Sequence, residues 1–178
     1  MKDMKDLNII VFGATGRVGA HICKALAMQG ANIAIHYNKN RLRAEQISQE
    51  IQDFGVSTLI INADLSVEEE ACDCVNEVVR QWNKIHGIVN MVHKDCSHIP
   101  KQIADMSWAD WEPHIEAIKA YFHISKAVIP IMREQGYGRI VYLSGGLSVR
   151  CMSGCAAFSS IKAGLNMFGK TLALEEGK

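Results

Sequence analysis

Apolar residues recur along the chain in two alternating patterns. Short continuous apolar runs bounded by glycine or polar residues predict buried strands at residues 7–12, 32–37, 57–61, 85–92 and 138–143. Between these runs, apolar residues at helical spacing predict helices at residues 18–28, 41–54, 68–82, 108–134 and 155–175. Strands that alternate with helices predict an α/β fold, with a parallel sheet covered by helices on both faces.

The expected architecture is a Rossmann-type doubly wound sheet with the strand order 3-2-1-4-5. The 178 residues are enough for one substantial core and few for two, so residues 1–178 are predicted to form a single domain. Pro130 interrupts the fourth predicted helix, but its apolar neighbours predict a kink in a buried helix rather than an end.

The composition narrows the class of protein. Apolar residues make up 48% and charged residues 21% of the chain, which is typical of a globular protein. Nineteen basic and nineteen acidic residues cancel, so no overall positive field attracts nucleic acid or an anionic membrane. Residues 1–6 are charged, and no run of eighteen apolar residues follows. We therefore expect a cytoplasmic protein with neither nucleic acid nor membrane as a partner.

Six cysteines raise the question of disulfides or redox chemistry. Cys23, Cys72, Cys74 and Cys155 lie in segments with helical spacing, where a free cysteine behaves as a small apolar residue. We expect reduced, structural thiols, as is usual in a reducing compartment.

A glycine-rich segment lies between the first predicted strand and the first predicted helix. In this position the backbone amides and the helix N-terminus face the pyrophosphate of a dinucleotide. A tight turn without a ligand is the alternative, although three glycines exceed what a turn requires. The candidate cofactor contacts in this segment are Gly13, Thr15, Gly16, Arg17, Val18 and Gly19.

The end of the second predicted strand bears on the choice between NAD and NADP. Tyr37 occupies the place where a carboxylate would accept hydrogen bonds from the adenosine ribose of NAD. Arg17, Lys39 and Arg41 are placed to hold a ribose 2′-phosphate, which favours NADP over NAD. Asn38 and Lys39 are counted among the cofactor contacts. The alternative is that Lys39 and Arg41 are solvated cations at a helix start.

Further motifs follow the glycine loop in a fixed order. They are Asp64-Leu65 after the third strand, Asn90-Met91-Val92-His93 at the fourth, residues 138–144 at the fifth, and residues 157–164 on the last helix. In order and spacing they resemble the short-chain dehydrogenase/reductase family over essentially the whole chain. The resemblance implies one NAD(P)-binding Rossmann domain over residues 1–178. It also implies a dinucleotide cofactor with Asp64, Leu65, Asn90 and Lys162 among its contacts.

The departures from the family pattern fall on the chemistry. In the family a tyrosine exchanges the hydroxyl proton, a lysine lowers its pKa, a serine positions the carbonyl and an asparagine supports a relay water. The resemblance puts Phe158 at the tyrosine and Lys162 at the lysine. It puts Gly145 at the serine, with Ser144 one residue early, and Ala117 at the asparagine, within one residue. A phenyl ring cannot donate a proton, so Lys162 is the one catalytic residue predicted to remain.

Two other groups of side chains carry chemistry outside these motifs. His93, Cys96 and His98 carry metal-ligand chemistry, but no fourth ligand follows at standard spacing, so no metal site is predicted. Tyr142 and Ser144 are possible substitutes for the lost acid, although strand alternation leaves the direction of Tyr142 open.

The region that shapes the substrate pocket in the family, a sixth strand, a covering loop and a seventh strand, would follow residue 175. Either the protein is naturally short or the chain is part of a longer one, and the substrate is not readable in either case.

The leading hypothesis is an NADP(H)-binding, non-catalytic subunit with little or no standard carbonyl or alcohol oxidoreductase activity. The alternatives are an active NADP-dependent oxidoreductase with non-standard catalytic residues, and a relic without ligand or partner. The helices at residues 108–134 and 155–175 resemble those that pair across the family's dimer interface. Both carry more apolar residues than one sheet face needs, namely Ile115, Ile118, Tyr121, Phe122, Leu165, Met167, Phe168 and Leu172. A homodimer or higher homo-oligomer is therefore expected, and a heteromer with an active relative is its extension.

Overall fold

A computed structural model describes residues 4–93 and 100–177, and its elements follow the predicted alternation. The strands are β1 (Asn8–Phe12), β2 (Asn32–Tyr37), β3 (Thr58–Asn62), β4 (Gly87–Asn90) and β5 (Arg139–Tyr142). The helices are α1 (Arg17–Ala27), α2 (Arg41–Gln52), α3 (Glu68–Trp82), α4 (Trp108–Gln135) and α5 (Ala156–Glu176). Short 3₁₀ turns at Ile103–Asp105 and Gly146–Ser148 were not predicted.

The five strands form one sheet with the order β3-β2-β1-β4-β5, which confirms the predicted topology. The pairs of β1 with β2, β1 with β4 and β2 with β3 are all parallel. In the central register Ile10 lies opposite Ala34 on one side and Ile88 on the other. Because parallel strands are buried on both faces, this arrangement explains why the strands appear as continuous apolar runs.

Each face of the central strands packs against a different pair of helices. On one face, Ile9 and Val11 of β1 meet buried residues of α1 and α2: Cys23, Ala27, Ala44, Ile47 and Ile51. On the other face, Ile10 and Phe12 meet buried residues of α3 and α4: Ala71, Cys74, Val75, Val78, Ala120, Ile124 and Val128. The fold is thus the α/β doubly wound arrangement expected from the sequence.

The chain divides into two compact units. Unit 1 comprises residues 1–92 and 120–141, and unit 2 comprises residues 93–119 and 142–178. Unit 1 holds α1 to α3 and nearly the whole sheet, while unit 2 holds the beginning of α4 and all of α5. That residues 1–178 form a single domain stays a prediction.

Strand β4 is shorter than predicted, because side chains replace the strand ladder at both of its ends. The backbone amide of Ile85 donates to Gln135 Oε1 at 2.9 Å, and Gln135 Nε2 donates to the Ile85 carbonyl at 2.9 Å. At the other end, the Val92 amide donates to Asn90 Oδ1 at 3.0 Å. A glutamine 50 positions away is not visible as a strand terminator in the sequence.

Helix α4 runs through Pro130 to Gln135, so the proline does not end the helix. Gly136 follows with φ +66°, a left-handed conformation that glycine adopts at little cost and that commonly ends helices. At the start, Asp110 Oδ2 accepts the Ser107 amide at 2.7 Å and the Ser107 hydroxyl at 2.6 Å. Within the described ranges, no helix combines the length and apolarity needed to cross a bilayer.

Candidate functional site

The glycine loop of residues 13–19 joins β1 to α1 within unit 1. Gly13 has φ +79°, which a residue with a side chain rarely adopts. A Cβ on Gly19 would lie 2.4 Å from the Gly13 carbonyl oxygen and 2.7 Å from Ala14, so α1 packs on the loop only with glycine there. The sequence thus forces a tight entry into α1.

The N-terminus of α1 follows directly on the glycine loop. Gly16 is its N-cap residue and makes no side-chain capping bond. The first amides of a helix have no acceptors within the helix, and together they favour an anion. Arg17 and Val18 are exposed at this end of the helix, whereas the Gly16 amide already donates to the Gly13 carbonyl at 3.1 Å. Within unit 1 the arrangement suits a pyrophosphate.

The loop after β2 carries the candidate contacts for the adenosine ribose. Asn62 Nδ2 donates to the carbonyls of Tyr37 at 3.0 Å and Asn38 at 2.8 Å, which fixes the backbone of this turn. Lys39 is exposed beside it. Arg41 pairs with Glu45 at 2.8 Å on the surface of α2, so it is already partly neutralised. Of the cations near this turn, Arg41 is therefore a weaker phosphate candidate than Lys39.

Asp64 and Leu65 form a turn after β3. Asp64 Oδ1 accepts the Ser66 amide at 3.0 Å and the Ser66 hydroxyl at 2.6 Å, and the Asp64 amide donates to Glu70 Oε2 at 2.6 Å. Leu65 is buried, and its carbonyl accepts a hydrogen bond from His123 Nδ1 at 3.0 Å. These bonds hold the turn in one shape without a ligand.

Asn90 lies fully buried at the end of β4. Its backbone carbonyl accepts the Tyr121 hydroxyl at 3.3 Å, while its Oδ1 holds the Val92 amide. Within residues 4–93 and 100–177, no acceptor lies within hydrogen-bond distance of Asn90 Nδ2. A buried amide donor without an acceptor is costly, and a bound ligand can satisfy it. Tyr121 was counted in the sequence as a surplus apolar residue of α4, which is wrong because this contact buries it.

Lys162 is the predicted catalytic residue, and in unit 2 it is buried on α5 with 5% of its surface exposed. Its Nζ donates to the Leu143 carbonyl at 2.9 Å and lies 5.7 Å from the centre of the Phe158 ring. Burial lowers the pKa of its ammonium from the usual value. The ammonium thus rests between a carbonyl and an aromatic face.

Phe158 belongs to an aromatic cluster with His93 and His114 in unit 2. The ring centroids lie 5.2 Å apart for His93 and Phe158, 6.3 Å for His114 and Phe158, and 5.4 Å for the two histidines. His114 is buried on α4 and was not singled out in the sequence.

The segment after β5 holds the position assigned to the family's serine. Gly145 has extended backbone with φ −165°, and a Cβ there would meet no atom of the described residues within 4 Å. The neighbouring Ser144 Oγ is buried and has no hydrogen-bond partner among the described residues. Ala117, the residue assigned to the asparagine, is buried on α4. Room for a serine therefore exists at Gly145.

Tyr142 packs away from Phe158. Its ring lies 6.0 Å from the Phe168 ring, and a Cβ on Gly169 would lie 3.5 Å from it. Phe168 is ten residues beyond Phe158 on α5, which corresponds to about 15 Å along a helix. This packing argues against Tyr142 as a replacement acid.

The metal and redox alternatives gain no support from the described residues. Cys96 and His98 lie outside them, and within residues 4–93 and 100–177 no group of three potential ligands occurs. The five described cysteines are free, and burial raises the pKa of Cys23 and Cys74 to about 12. Thiols with so high a pKa are poor nucleophiles.

A family model described as short chain dehydrogenase matches residues 7–178. The 3-oxoacyl-[acyl-carrier-protein] reductase FabG of Staphylococcus epidermidis is 29% identical over 167 residues, which cover 93% of this chain and 67% of that protein. The solved structure of an NAD⁺-bound xylitol dehydrogenase superposes with a TM-score of 0.92 at 27% identity, over 98% of this chain and 66% of that one.

A short-chain dehydrogenase from Burkholderia cenocepacia J2315 in complex with NADP gives a TM-score of 0.87 at 24% identity, over 99% of this chain and 71% of that one. At this identity the likeness concerns the fold alone. The chain spans about two thirds of the length of the relatives that it matches.

Proposed function

The chain belongs to the short-chain dehydrogenase family, and we propose that it is an NADP(H)-binding member with little or no standard carbonyl or alcohol oxidoreductase activity. Its role in this proposal is that of a non-catalytic subunit. The proposal that the chain binds the cofactor rests on the N-terminus of α1, whose N-cap residue Gly16 has no side chain to cap it, directly after the glycine loop. The observation that carries the catalytic half is the Phe158 ring, which has no proton to exchange.

The cofactor contacts remain those expected from the sequence, with Arg17 and Lys39 as the groups that receive the 2′-phosphate. Both cations are exposed, and Tyr37 supplies no carboxylate to repel a phosphate. Among the compared structures one is NAD⁺-bound and one holds NADP, so the choice rests on these residues of the chain itself.

Thermal denaturation tests the cofactor assignment. A ligand at a hundred times its Kd stabilises the fold by about 2.7 kcal/mol, which raises Tm by several degrees in a chain of this size. NADPH is expected to raise Tm more than NADH at equal concentration. Equal shifts, or none with either cofactor, would contradict the assignment.

Lys162 alone does not restore the missing chemistry. In the family the lysine acts on a tyrosine, whereas here its Nζ donates to the Leu143 carbonyl and faces a phenyl ring. General acid catalysis contributes about 10²- to 10⁴-fold in rate, so its loss leaves the reaction slow. An acetoacetyl thioester is a suitable test substrate, since the Staphylococcus epidermidis relative is a 3-oxoacyl reductase.

A second candidate function is an active NADP-dependent oxidoreductase with non-standard residues. One observation favours it: the imidazoles of His93 and His114 lie in ring contact with Phe158. Imidazole is the commonest general acid near neutral pH. The test is NADPH consumption in two variants: His114→Gln, and Cys151→Ser on the exposed surface as the control. Consumption that is lost in the first variant and retained in the second would establish this function and exclude the non-catalytic one.

A homodimer or higher homo-oligomer forms part of the proposal, and a heteromer with an active relative is its extension. Phe122 on α4 is 48% exposed and Met167 on α5 is 61% exposed, whereas Leu165, also counted as surplus in the sequence, is buried. Light scattering at micromolar concentration is expected to give at least a dimer mass that Met167→Glu reduces. Met167 is a better site for this change than Phe168, which packs on Tyr142. A monomer mass for both the parent and Met167→Glu would exclude the homo-oligomer.

The cytoplasmic location stays a prediction.

A further inference from the structure

His36 is a buried histidine of unit 1 that lies outside the predicted motifs. It lies on β2 with 3% of its surface exposed, and its ring packs 5.5 Å from that of Phe12. Because side chains alternate along a strand, His36 shares the sheet face of Ala34, which is an apolar environment. A polar ring in this environment must have partners for both of its nitrogens.

The partners of the His36 ring are two backbone groups at the carboxyl end of the sheet. The amide of Gly13 donates to His36 Nδ1 at 3.2 Å, and His36 Nε2 lies 3.1 Å from the Ala63 carbonyl. Since an amide can only donate, Nδ1 accepts and Nε2 carries the proton that is donated to Ala63. The two contacts therefore assign the neutral tautomer of the ring.

The backbone of the same residue holds the next amide of the loop. The Ala14 amide donates to the His36 carbonyl at 3.2 Å, so two successive loop amides are bound to one residue of β2. Both contacts direct Gly13 and Ala14 towards the sheet. The amides at the start of α1 are then the ones that remain for an anion.

We infer that His36 is a positioning residue for the glycine loop, and that its Nδ1 acceptor holds the loop in the shape that binds a dinucleotide pyrophosphate. The inference rests on the proposed cofactor function of the loop. A glycine at φ +79° has wide conformational freedom, and fixing it before the ligand arrives lowers the entropy cost of binding.

Burial keeps the ring in the state that this role requires. It lowers the pKa of His36 to about 4, against the smaller opposing effects of the hydrogen bond to Ala63 and the Asp64 carboxylate. A protonated ring would point an N–H at the Gly13 amide, and the loop contact would be lost. At neutral pH the acceptor is therefore always present.

Two substitutions separate the two ring contacts. In His36→Asn the side-chain oxygen takes the place of Nδ1 and keeps an acceptor for the Gly13 amide. In His36→Gln the side-chain amide nitrogen takes the place of Nε2 and keeps the bond to the Ala63 carbonyl. Loss of one hydrogen bond corresponds to about a tenfold change in an equilibrium constant. We expect His36→Gln to raise the Kd for NADPH about tenfold, and His36→Asn to raise it less than about threefold.

The control is His86, whose Nδ1 accepts the backbone amide of Asn8 at 2.9 Å at the other end of β1. His86→Gln removes the same kind of bond far from the loop, so its Kd for NADPH is expected to stay within about twofold of the parent. Equal weakening by His36→Gln and His36→Asn, or by His36→Gln and His86→Gln, would overturn the inference.

Amide hydrogen exchange of the cofactor-free protein provides a readout that does not depend on NADPH. Exchange at Gly13 is expected to accelerate about tenfold in His36→Gln and to stay near the parent rate in His36→Asn. If the parent protein binds no NADPH, the proposed function fails while this measurement still tests the loop contact. Unchanged exchange at Gly13 in His36→Gln would overturn the positioning role by itself.

Discussion

The glycine loop of unit 1 and the Lys162 segment of unit 2 have kept different parts of the family's pattern. The loop acts through its backbone, and both of the glycines that its geometry requires are present. Gly13 supplies a left-handed φ, and Gly19 permits the close approach of α1. In our proposal the segment on α5 acts through side chains, and Phe158 stands in place of the proton-donating one. Binding that depends on backbone geometry needs glycines and a fold, whereas catalysis depends on the chemical identity of single side chains.

The packing around Phe158 is compatible with the proposed loss of the catalytic group. A tyrosine hydroxyl in the half-buried cluster around Phe158 would need a hydrogen-bond partner, and a phenyl ring removes that requirement. The ring packs with His93 and His114, and Lys162 lies against its face. Loss of the catalytic group therefore does not require loss of packing. A change at Gly19, by contrast, would disturb the fold itself.

The largest expected effect is a gain of activity at the α5 segment. Phe158→Tyr restores the proton donor, and Gly145→Ser restores the hydroxyl that positions the carbonyl, at a position where a Cβ meets open space. Because general acid catalysis contributes about 10²- to 10⁴-fold, the double variant is expected to reduce an acetoacetyl thioester at least about a hundredfold faster than the parent. NADPH absorbance measures the rate.

The single variants Phe158→Tyr and Gly145→Ser are the controls for the double variant, since each supplies only the proton donor or only the serine hydroxyl. Parent turnover above about 1 s⁻¹, the ordinary range of enzymes, would remove the contrast between the two regions, because the α5 segment would then be catalytic as it stands.

The second prediction concerns the loop. Gly19→Ala forces a Cβ to within 2.4 Å of the Gly13 carbonyl oxygen, so α1 or the loop must move. The overpacking is expected to lower the free energy of unfolding by about 3 kcal/mol and to abolish the NADPH-dependent rise in Tm. Urea denaturation and thermal denaturation measure the two effects.

Gly164→Ala on α5 is the matched control for Gly19→Ala. Its Cβ would lie 3.8 Å from Ile118 Cδ1, an ordinary contact, and alanine is the better helix former by about 1 kcal/mol. We expect this variant to be as stable as the parent or more stable. If both alanine variants behave alike, close packing does not distinguish the loop from α5.

The sequence predicted the fold better than it predicted the side-chain contacts. Among the described residues, the strands and the five α-helices followed from hydrophobic periodicity, since burial on both faces leaves a strong local signal. The strand order followed from the doubly wound fold that their alternation predicts. The start of β4 and the burial of Tyr121 depend on partners 50 and 31 positions away, which periodicity cannot reveal. His36 and His114 were missed for the same reason, because a histidine acquires its role from the backbone or ring that the fold brings against it.

The third prediction uses the buried His36 to measure the loop's dependence on pH. Its pKa is about 4 in the folded protein and near 6.5 in an unfolded chain, so the unfolded state binds more protons between these values. Stability attributable to His36 is therefore complete above about pH 6.5 and falls as the pH drops towards 4. Between pH 7 and 5 the loss is expected to be about 2 kcal/mol by urea denaturation.

His36→Asn isolates this contribution, because asparagine does not titrate and keeps the acceptor for Gly13. Burial also lowers the pKa of His86, so the parent's acid sensitivity has more than one source. The difference between parent and variant is the quantity to measure. Identical pH dependence in the two proteins would mean that the loop's stability is not linked to protonation of His36.

The smallest expected effect is on the choice between NADPH and NADH at the turn after β2. Lys39 is exposed, and the pair Arg41–Glu45 already engages its cationic neighbour on α2, so Lys39 is the freer partner for a 2′-phosphate. Lys39→Ala is expected to weaken NADPH about fivefold and to leave NADH unchanged, because a solvent-exposed ion pair contributes at most about 1 kcal/mol. The control is Arg43→Ala, because Arg43 is a cation on α2 that pairs with Glu50 at 3.4 Å, and this variant should leave both Kd values unchanged.

Because salt screens exposed charges, the NADPH preference should also shrink as ionic strength rises from about 0.01 to 1 M. A preference for NADPH that survives both Lys39→Ala and high salt would place its origin in the buried part of the loop, and would make the contrast between the two regions sharper still.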